Sequence, residues 1–141
     1  MISIALIDKF PILRIGLSMH LKKYFKEITI WEMENTADFQ ASYLDVDPDI
    51  IIIGINLYST AQSTENINTL LNENPKSRII VYDEKPDATL LNDYFRNGVA
   101  GYLSKQNRLS ELIECIEAVT TGKKYICKEL LPPADNNFLK A

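Results

Sequence analysis

Residues 48 to 54 read Pro-Asp-Ile-Ile-Ile-Ile-Gly, and this stretch decides the fold. Consecutive isoleucines cannot alternate between a buried and an exposed face, so a strand built from them has to be apolar on both faces. Strands of this kind lie in the middle of parallel sheets, with helices above and below. We therefore expect residues 50–53 to form a central strand.

Short runs rich in β-branched residues recur on both sides of this stretch and alternate with segments of helical spacing. Strands are predicted at residues 3–7, 28–33, 50–53, 79–82 and 101–103. The first helix follows Pro11 and has Leu13, Leu17 and Leu21 on one face. Further helices are predicted from Asn35 and over residues 63–72, 86–96 and 109–119. This alternation predicts an α/β fold of five βα units, with a doubly wound parallel sheet inside a three-layer αβα sandwich.

The length and composition fit one domain. The chain has 141 residues, of which 46% are apolar, so it can bury one sizeable core but not two. The segment after Gly122 ends in Pro132-Pro133 and polar residues, which is typical of a linker. We expect a folded domain over residues 1–130, a linker or tail stub over 131–141, and no further packed element after Gly122.

The net charge and the short apolar runs argue against a DNA-binding face and against a membrane-spanning helix. With 15 Lys+Arg against 19 Asp+Glu, the net charge of −4 disfavours an electrostatic DNA-binding face. No apolar run approaches the roughly 20 residues that a membrane helix needs. The N-terminus lacks the basic region of a secretory signal, so we expect a cytoplasmic protein.

Charged residues collect where the predicted strands end. In open α/β sheets the functional site lies beyond the carboxyl ends of the strands. This edge receives Asp8 and Lys9 after the first strand, Gly54 after the third, Asp83 after the fourth and Lys105 after the fifth.

Several segments resemble a response-regulator receiver domain, most of all the branch that carries a LuxR-type helix-turn-helix domain. They read Leu-Ile-Asp-Lys-Phe-Pro from residue 6, Pro-Asp-Ile-Ile-Ile-Ile-Gly from residue 48, and Gly-Val-Ala-Gly-Tyr-Leu-Ser-Lys from residue 98, which is the most specific of the three. The similarity covers roughly residues 2–130. It implies a flavodoxin-like fold, a role in two-component phosphorelay signalling and transcription regulation, and DNA contact only through a C-terminal domain absent from this chain.

The residues that carry receiver chemistry are only partly kept. Asp8, Tyr102 and Lys105 match the family, but Lys9 stands where the second metal-binding acid is expected. An ammonium group cannot ligate a cation. Gly54 aligns with the phosphorylated aspartate and Asp83 with the hydroxyl residue that contacts the phosphoryl group. The resemblance therefore implies a degenerate phosphorylation site with no catalytic residue, metal or cofactor.

Two questions about this edge stay open at the level of sequence. Asp8, Lys9, Asp83 and Lys105 form either one internal ion-pair cluster or a set of separate solvated charges worth about 0 to 1 kcal/mol per pair. Tyr102 is either a switch residue, as in the family, or a strand residue packed against the fourth helix.

The sequence favours an atypical, phosphorylation-independent receiver domain that acts through protein contacts, with a partner protein or in a homodimer. A receiver-fold sensor of a small anionic metabolite is the first alternative, and a bound flavin-type ligand stays open. A small flavodoxin-like enzyme is disfavoured, because neither a nucleophile elbow nor a spare histidine accompanies the serines. His20, the single histidine, is interpreted as a packing or surface residue, and Cys115 and Cys127 as reduced thiols. The sequence leaves open whether the chain is an excised receiver or a stand-alone module.

Overall fold

The computed structural model describes residues 1–43, 45–56 and 60–131. Within these residues, six parallel strands form one sheet in the order β2-β1-β3-β4-β5-β6. The elements in chain order are β1 (Ile2–Ile7), α1 (Pro11–Tyr24), β2 (Ile28–Met33), α2 (Thr36–Ser42), β3 (Ile50–Ile55), α3 (Thr60–Glu73), β4 (Arg78–Asp83), α4 (Ala88–Asn97), β5 (Gly101–Ser104), α5 (Leu109–Thr120), β6 (Tyr125–Ile126) and a short 3₁₀ helix (Lys128–Leu130).

The central position predicted for the isoleucine strand is confirmed. β3 lies between β1 and β4, and its isoleucines are buried on both faces of the sheet. Ile50 and Ile52 pack in one apolar cluster, whereas Ile51 and Ile53 pack in the other. Each buried isoleucine side chain contributes about 1.5–3 kcal/mol relative to an exposed one.

The helices divide between the two faces of the sheet, which gives the predicted three layers. On one face, α1 and α5 cover the cluster through Leu17, Leu21 and Ile116. On the other face, α2, α3 and α4 cover it through Phe39, Leu70 and Tyr94. No helix in the described part of the chain is long and apolar enough to cross a membrane.

The prediction that nothing packs after Gly122 is wrong. β6 extends the sheet beside β5, where the backbone N–H of Tyr125 donates to Ala100 (2.9 Å) and that of Cys127 donates to Tyr102 (2.8 Å). The side chains of Tyr125, Ile126 and Cys127 are buried. This apolar run is too short to be recognised as a strand from its pattern alone, so the sheet has six strands rather than five.

The starts of α3 and α4 also differ from the predicted ones. α3 begins at Thr60 rather than at residue 63, so Ser63 lies inside the helix. α4 begins after Asp87, whose side chain accepts a hydrogen bond from the backbone N–H of Thr89 and caps the helix. The predicted tail, including Pro132 and Pro133, falls outside the described residues.

Two glycines shape the connection from α4 into β5. Gly98 has φ of +113° and ends α4 in the left-handed region that favours glycine. At Gly101, an added Cβ would lie 2.9 Å from Cys115 Sγ and 3.2 Å from Ile80 Cγ1. Glycine at this position therefore lets β5 approach α5 closely.

We expect Gly101→Ala to lower the free energy of unfolding by about 1–3 kcal/mol, because the new methyl group overpacks the contact between β5 and α5. Gly16→Ala is the matched control, since Gly16 lies in α1 with nothing within 4 Å of the added Cβ. There alanine should raise stability by about 0.5–1 kcal/mol. Urea unfolding measures both, and equal effects would contradict the close approach.

Candidate regulatory site at the carboxyl edge of the sheet

The carboxyl ends of β1, β3, β4 and β5 meet at one edge of the sheet. Ile7 pairs with Ile53 across β1 and β3, and Asp83 pairs with Ser104 across β4 and β5. The residues that follow these positions therefore share the edge. The backbone N–H of Lys105 donates to Asp83 O (2.8 Å), which brings the end of β5 beside that of β4.

A buried ion pair joins the first and last of these loops. Lys105 Nζ lies 2.8 Å from Asp8 Oδ2, and the two side chains are 9% and 2% exposed. Asp8 Oδ1 accepts a further hydrogen bond from the backbone N–H of Phe10 (2.9 Å). Lys105 Nζ also donates to Asn56 Oδ1 (3.1 Å) and lies 5.6 Å from the centre of the Phe10 ring. Since both charges are removed from water and held by additional contacts, this pair differs from a solvated surface pair.

The ion pair fills the space above Gly54. A Cβ added to Gly54 would overlap the Asp8 carboxylate, at 2.7 Å from Asp8 Cγ and 3.2 Å from Lys105 Nζ. Any side chain at position 54 would therefore have to displace the pair. Glycine is the residue that leaves this space to Asp8 and Lys105.

A second buried contact joins β4, β5 and the start of α4. Asp83 is 6% exposed, and its Oδ2 accepts a hydrogen bond from Tyr102 OH (2.7 Å) while its Oδ1 accepts one from the backbone N–H of Lys85 (3.1 Å). The same Tyr102 oxygen accepts a hydrogen bond from the backbone N–H of Asp87 (2.9 Å). The Tyr102 ring packs edge-on against Tyr94 of α4, with 5.6 Å between ring centres.

Burial raises the pKa of Asp83 above its ordinary value, although the hydrogen bond from Tyr102 and the charge of Lys105 partly oppose this effect. Burial also raises the pKa of Tyr102, and the hydrogen bond to Asp83 raises it further. The phenol therefore stays protonated and acts as the donor to Asp83 at neutral pH.

The four charges match neither of the two arrangements that the sequence left open. Asp8 and Lys105 pair with each other, whereas Asp83 bonds to Tyr102 and to backbone. Lys9 is exposed and has no ion-pair partner among residues 1–43, 45–56 and 60–131.

The structure places Tyr102 against the fourth helix, which is one of the two alternatives that the sequence left open. Its side chain is completely buried, and its hydroxyl bridges Asp83 and Asp87. Sequence reasoning missed Asp87, although an aspartate shortly before a helical run is a helix-capping signal.

The other residues considered from sequence lie away from this edge. Asp49 is bonded to Ser3 at the opposite end of β1, where its Oδ2 accepts from the backbone N–H of Ser3 (2.9 Å). Cys115 and Cys127 are buried, free thiols, and burial raises the pKa of Cys127 to about 12. His20 is exposed on α1.

The donor set does not fit the Mg²⁺ ion that the receiver resemblance implies. Mg²⁺ requires oxygen ligands, and the one carboxylate kept from the family, Asp8, is already paired with Lys105. Lys9 and Gly54 supply no oxygen from their side chains. In the described residues, no three His, Cys, Asp or Glu side chains converge as a metal site would require.

The fold and the site together resemble those of one class of protein. A parallel α/β sheet that has an aspartate after β1, a lysine after β5 and a glycine-aromatic motif in β5 is similar to a response-regulator receiver domain. Known proteins agree with this resemblance, although no family model matches the sequence.

Among curated relatives, the chain is 25% identical over 142 aligned residues to the transcriptional regulatory protein DegU of Brevibacillus brevis, covering 99% of this chain and 57% of DegU. The isolated receiver domain of RcsB from Salmonella enterica serovar Typhimurium has the same fold, with a TM-score of 0.80 at 18% identity and complete coverage of both chains. A LuxR-family response regulator from Aurantimonas sp. SI85-9A1 superposes with a TM-score of 0.78 at 20% identity, covering 91% of each chain. The resemblance to response-regulator receiver domains of the LuxR branch is confirmed, and so is the flavodoxin-like fold.

We expect Lys105→Met to lower the free energy of unfolding by about 3–5 kcal/mol, because it leaves the Asp8 carboxylate buried without its cation. Adding Asp8→Asn to Lys105→Met should recover part of this loss, since both charges are then removed. Lys9→Met is the matched control, a lysine at the same edge that should change stability by less than about 0.5 kcal/mol. Chemical denaturation of the unmodified chain and the three variants tests this, and equal losses for the two lysines would contradict the buried pair.

A second prediction concerns the pH dependence of Asp83. Because its folded-state pKa is raised above the ordinary 3.8, its contribution to stability is complete below that value and is lost as the pH rises through the folded pKa. The stability of the unmodified chain relative to Asp83→Asn should therefore fall as the pH rises above 3.8.

Asp87→Asn provides a control of opposite sign for that experiment. Hydrogen bonds from Thr89 lower the pKa of Asp87, so its contribution is present above 3.8 and is lost as the pH falls through its folded value. Thermal unfolding on both sides of pH 3.8 measures the two slopes, that of Asp87 below this value and that of Asp83 above it. Slopes of the same sign would contradict the burial effect at Asp83.

Proposed function

We propose that this chain is an atypical receiver domain whose state does not depend on phosphorylation, and that it acts as a protein-interaction module of a two-component-type transcription regulator. The observation that carries the proposal is the Asp8–Lys105 ion pair in the space above Gly54. That space belongs to the side chain that receives the phosphoryl group in the family that this chain resembles.

No residue at position 54 can accept a phosphoryl group. Gly54 has no side chain, and Asp49 is bonded to Ser3 at the other end of the sheet. The Asp8 carboxylate is 2% exposed and is neutralised by Lys105, so it is shielded from a phosphodonor. Lys9 replaces a metal-binding acid with a positive charge. These substitutions together support a site that holds its own internal charges in place of metal and phosphoryl group.

The contact between Asp83 and Tyr102 supports a single fixed arrangement of the neighbouring loop. In this chain Asp83, at the end of β4, accepts a hydrogen bond directly from Tyr102, with no phosphoryl group between them. Tyr102 in turn accepts from the backbone N–H of Asp87, the capping residue of α4. The inward position of Tyr102 and the start of α4 are thus held by hydrogen bonds between residues of this chain.

The setting of this module is inferred from its relatives. DegU is a transcriptional regulatory protein, and this chain spans only 57% of its length. We therefore assign DNA binding to a C-terminal domain outside this chain. The receiver itself then acts through contacts with a partner protein or with a second copy. A cytoplasmic location and the absence of enzymatic activity are parts of the same proposal.

The alternative of a small anionic ligand is less well supported. The most deeply placed cation at the edge, Lys105, is already neutralised by Asp8, and the carboxylate of Asp83 lies close enough to interact with it. An anion would meet both carboxylates as it approached. A small enzyme remains disfavoured, because this edge offers no paired nucleophile and base among the described residues.

Intact-mass spectrometry after incubation with a small phosphodonor and Mg²⁺ tests the proposal. We expect no mass gain, under conditions in which a receiver domain with an intact site gains one phosphoryl group. Asp8→Asn is measured in parallel. A gain in the unmodified chain that disappears in Asp8→Asn would identify Asp8 as an acceptor and overturn the proposal, and an acid-labile gain at any other residue would overturn it as well.

A further inference from the structure

The segment that follows α5 runs along β5 and joins several other elements. Residues 123–130, which we call the C-terminal strap, contain β6 and the short 3₁₀ helix. The strap begins after Gly122, whose φ of +87° lies in the left-handed region that favours glycine. Its last residue, Leu130, packs against the apolar clusters on both faces of the sheet. The strap therefore closes the side of the sheet on which β5 lies.

Two carboxylates of α5 hold the strap. Glu114 Oε2 accepts a hydrogen bond from Tyr125 OH (3.1 Å) and lies 3.4 Å from Lys128 Nζ. Glu111 Oε2 accepts a hydrogen bond from the backbone N–H of Lys128 (3.2 Å). Glu117, about one turn further along the same helix, is exposed and forms no ion pair with any residue that the structure describes. Glu111 and Glu114 therefore anchor the strap to α5, and Glu117 offers a comparison within the same helix.

Tyr102 contacts both the strap and the start of α4. Its backbone carbonyl accepts a hydrogen bond from the N–H of Cys127 in the strap (2.8 Å). Its hydroxyl donates to Asp83 (2.7 Å) and accepts from the backbone N–H of Asp87, which caps α4 (2.9 Å). Since Tyr102 is completely buried and closely packed, its backbone and its side chain are held in one arrangement. The same residue thus holds the strap on one side and α4 on the other.

Two further contacts join the strap to elements that leave the carboxyl edge. Lys124 Nζ lies 5.9 Å from the centre of the Phe95 ring in α4, which is within the range of a cation–π contact. Asn107 lies in the loop after β5, where its Oδ1 accepts from the backbone N–H of Ser104 (2.8 Å) and its Nδ2 is 3.5 Å from Glu129 Oε1 in the strap. The strap therefore contacts α4, β5 and the loop after β5 as well as α5.

We propose that the C-terminal strap and the start of α4 are coupled through Tyr102, so that the contacts at the carboxyl edge fix the direction in which the chain leaves the domain. The strap closes on Tyr102 when the side chain of this residue points inward, and a closed strap in turn favours that inward position. A coupling free energy of this kind acts equally in both directions. The coupling itself lies within this chain, whereas its use in orienting a following domain rests on the proposed function.

Hydrogen exchange of single amides in the full chain, followed by nuclear magnetic resonance, measures the coupling. The amide of Cys127 reports closure of the strap, and the amide of Asp87, which donates to Tyr102 OH, reports the start of α4. The amide of Ile52 in the central strand β3 reports unfolding of the whole domain. Each exchange rate is compared with that of Ile52, so that a general loss of stability is separated from local opening.

Glu114→Ala loosens the strap and leaves Tyr102 and α4 unaltered in sequence. We expect exchange at Cys127 to rise about threefold to tenfold, because a hydrogen bond and an ion pair to the strap are lost. Exchange at Asp87 should rise with it, by about twofold or more, because the loosened strap no longer supports Tyr102. Glu117→Ala is the matched control, since it removes the same charge from the same helix, and it should leave both amides unchanged.

Tyr102→Phe tests the opposite direction, since it keeps the ring and removes the hydroxyl that binds Asp83 and Asp87. Exchange should rise at Asp87 and also at Cys127, although the carbonyl that Cys127 binds is still present. A rise confined to Asp87 in this variant would overturn the coupling.

In Glu114→Ala, a rise confined to Cys127 would overturn the coupling as well, and so would unchanged exchange at both amides. Equal effects of Glu114→Ala and Glu117→Ala would show that Glu114 has no special hold on the strap, which also contradicts the proposal. No phosphodonor is used in these measurements, so a failure here is distinct from a mass gain that overturns the proposed function.

Discussion

The ion pair between Asp8 and Lys105 is the interaction on which the functional edge depends. It links the loop after β1 to the loop after β5 across the end of β3, and it takes the space that a side chain at Gly54 would need. A buried pair has to offset the loss of hydration of both ions. Here the backbone N–H of Phe10 and the side chain of Asn56 provide the additional hydrogen bonds that make this burial tolerable.

The contact between Asp83 and Tyr102 follows from the same geometry. The end of β4 lies beside that of β5, so a carboxylate at Asp83 faces the inward hydroxyl of Tyr102. A buried carboxylate that receives hydrogen bonds on both oxygens fixes the loop that follows it, and this loop leads directly into α4. The two buried contacts together give the edge a defined internal structure.

Much of the fold could be predicted because it depends on local pattern. The run of isoleucines requires a strand that is buried on both faces, and the leucines of α1 recur with helical spacing. β6 could not be predicted in this way, since it is held by backbone hydrogen bonds to β5 and by the burial of only a few residues. The true start of α3 at Thr60 was also missed, because serine and threonine before a helix are read equally well as capping residues and as its first turn.

The candidate site could be located from the sequence, but its contacts could not. Strand order places Asp8, Asp83 and Lys105 at one edge, and the family resemblance draws attention to Gly54. Glycine at position 54 indicates that the phosphoryl acceptor of the family is missing. Only the structure shows that the Asp8–Lys105 ion pair takes the space of its side chain. The charge of Lys9 suggested that it could join an ion-pair cluster with Asp8, Asp83 and Lys105. In the structure its side chain is exposed to solvent instead.

The central claim is that internal charges occupy the position of the phosphoryl group and its metal. The most direct test is a titration of the isotopically labelled chain with Mg²⁺ and beryllofluoride, followed by amide resonances in nuclear magnetic resonance spectra. The account predicts that the amide resonances of Asp8, Gly54, Lys105 and Tyr102 stay unchanged at millimolar Mg²⁺. Saturable shifts at these residues would contradict it, because they would show that metal and phosphoryl analogue displace the ion pair.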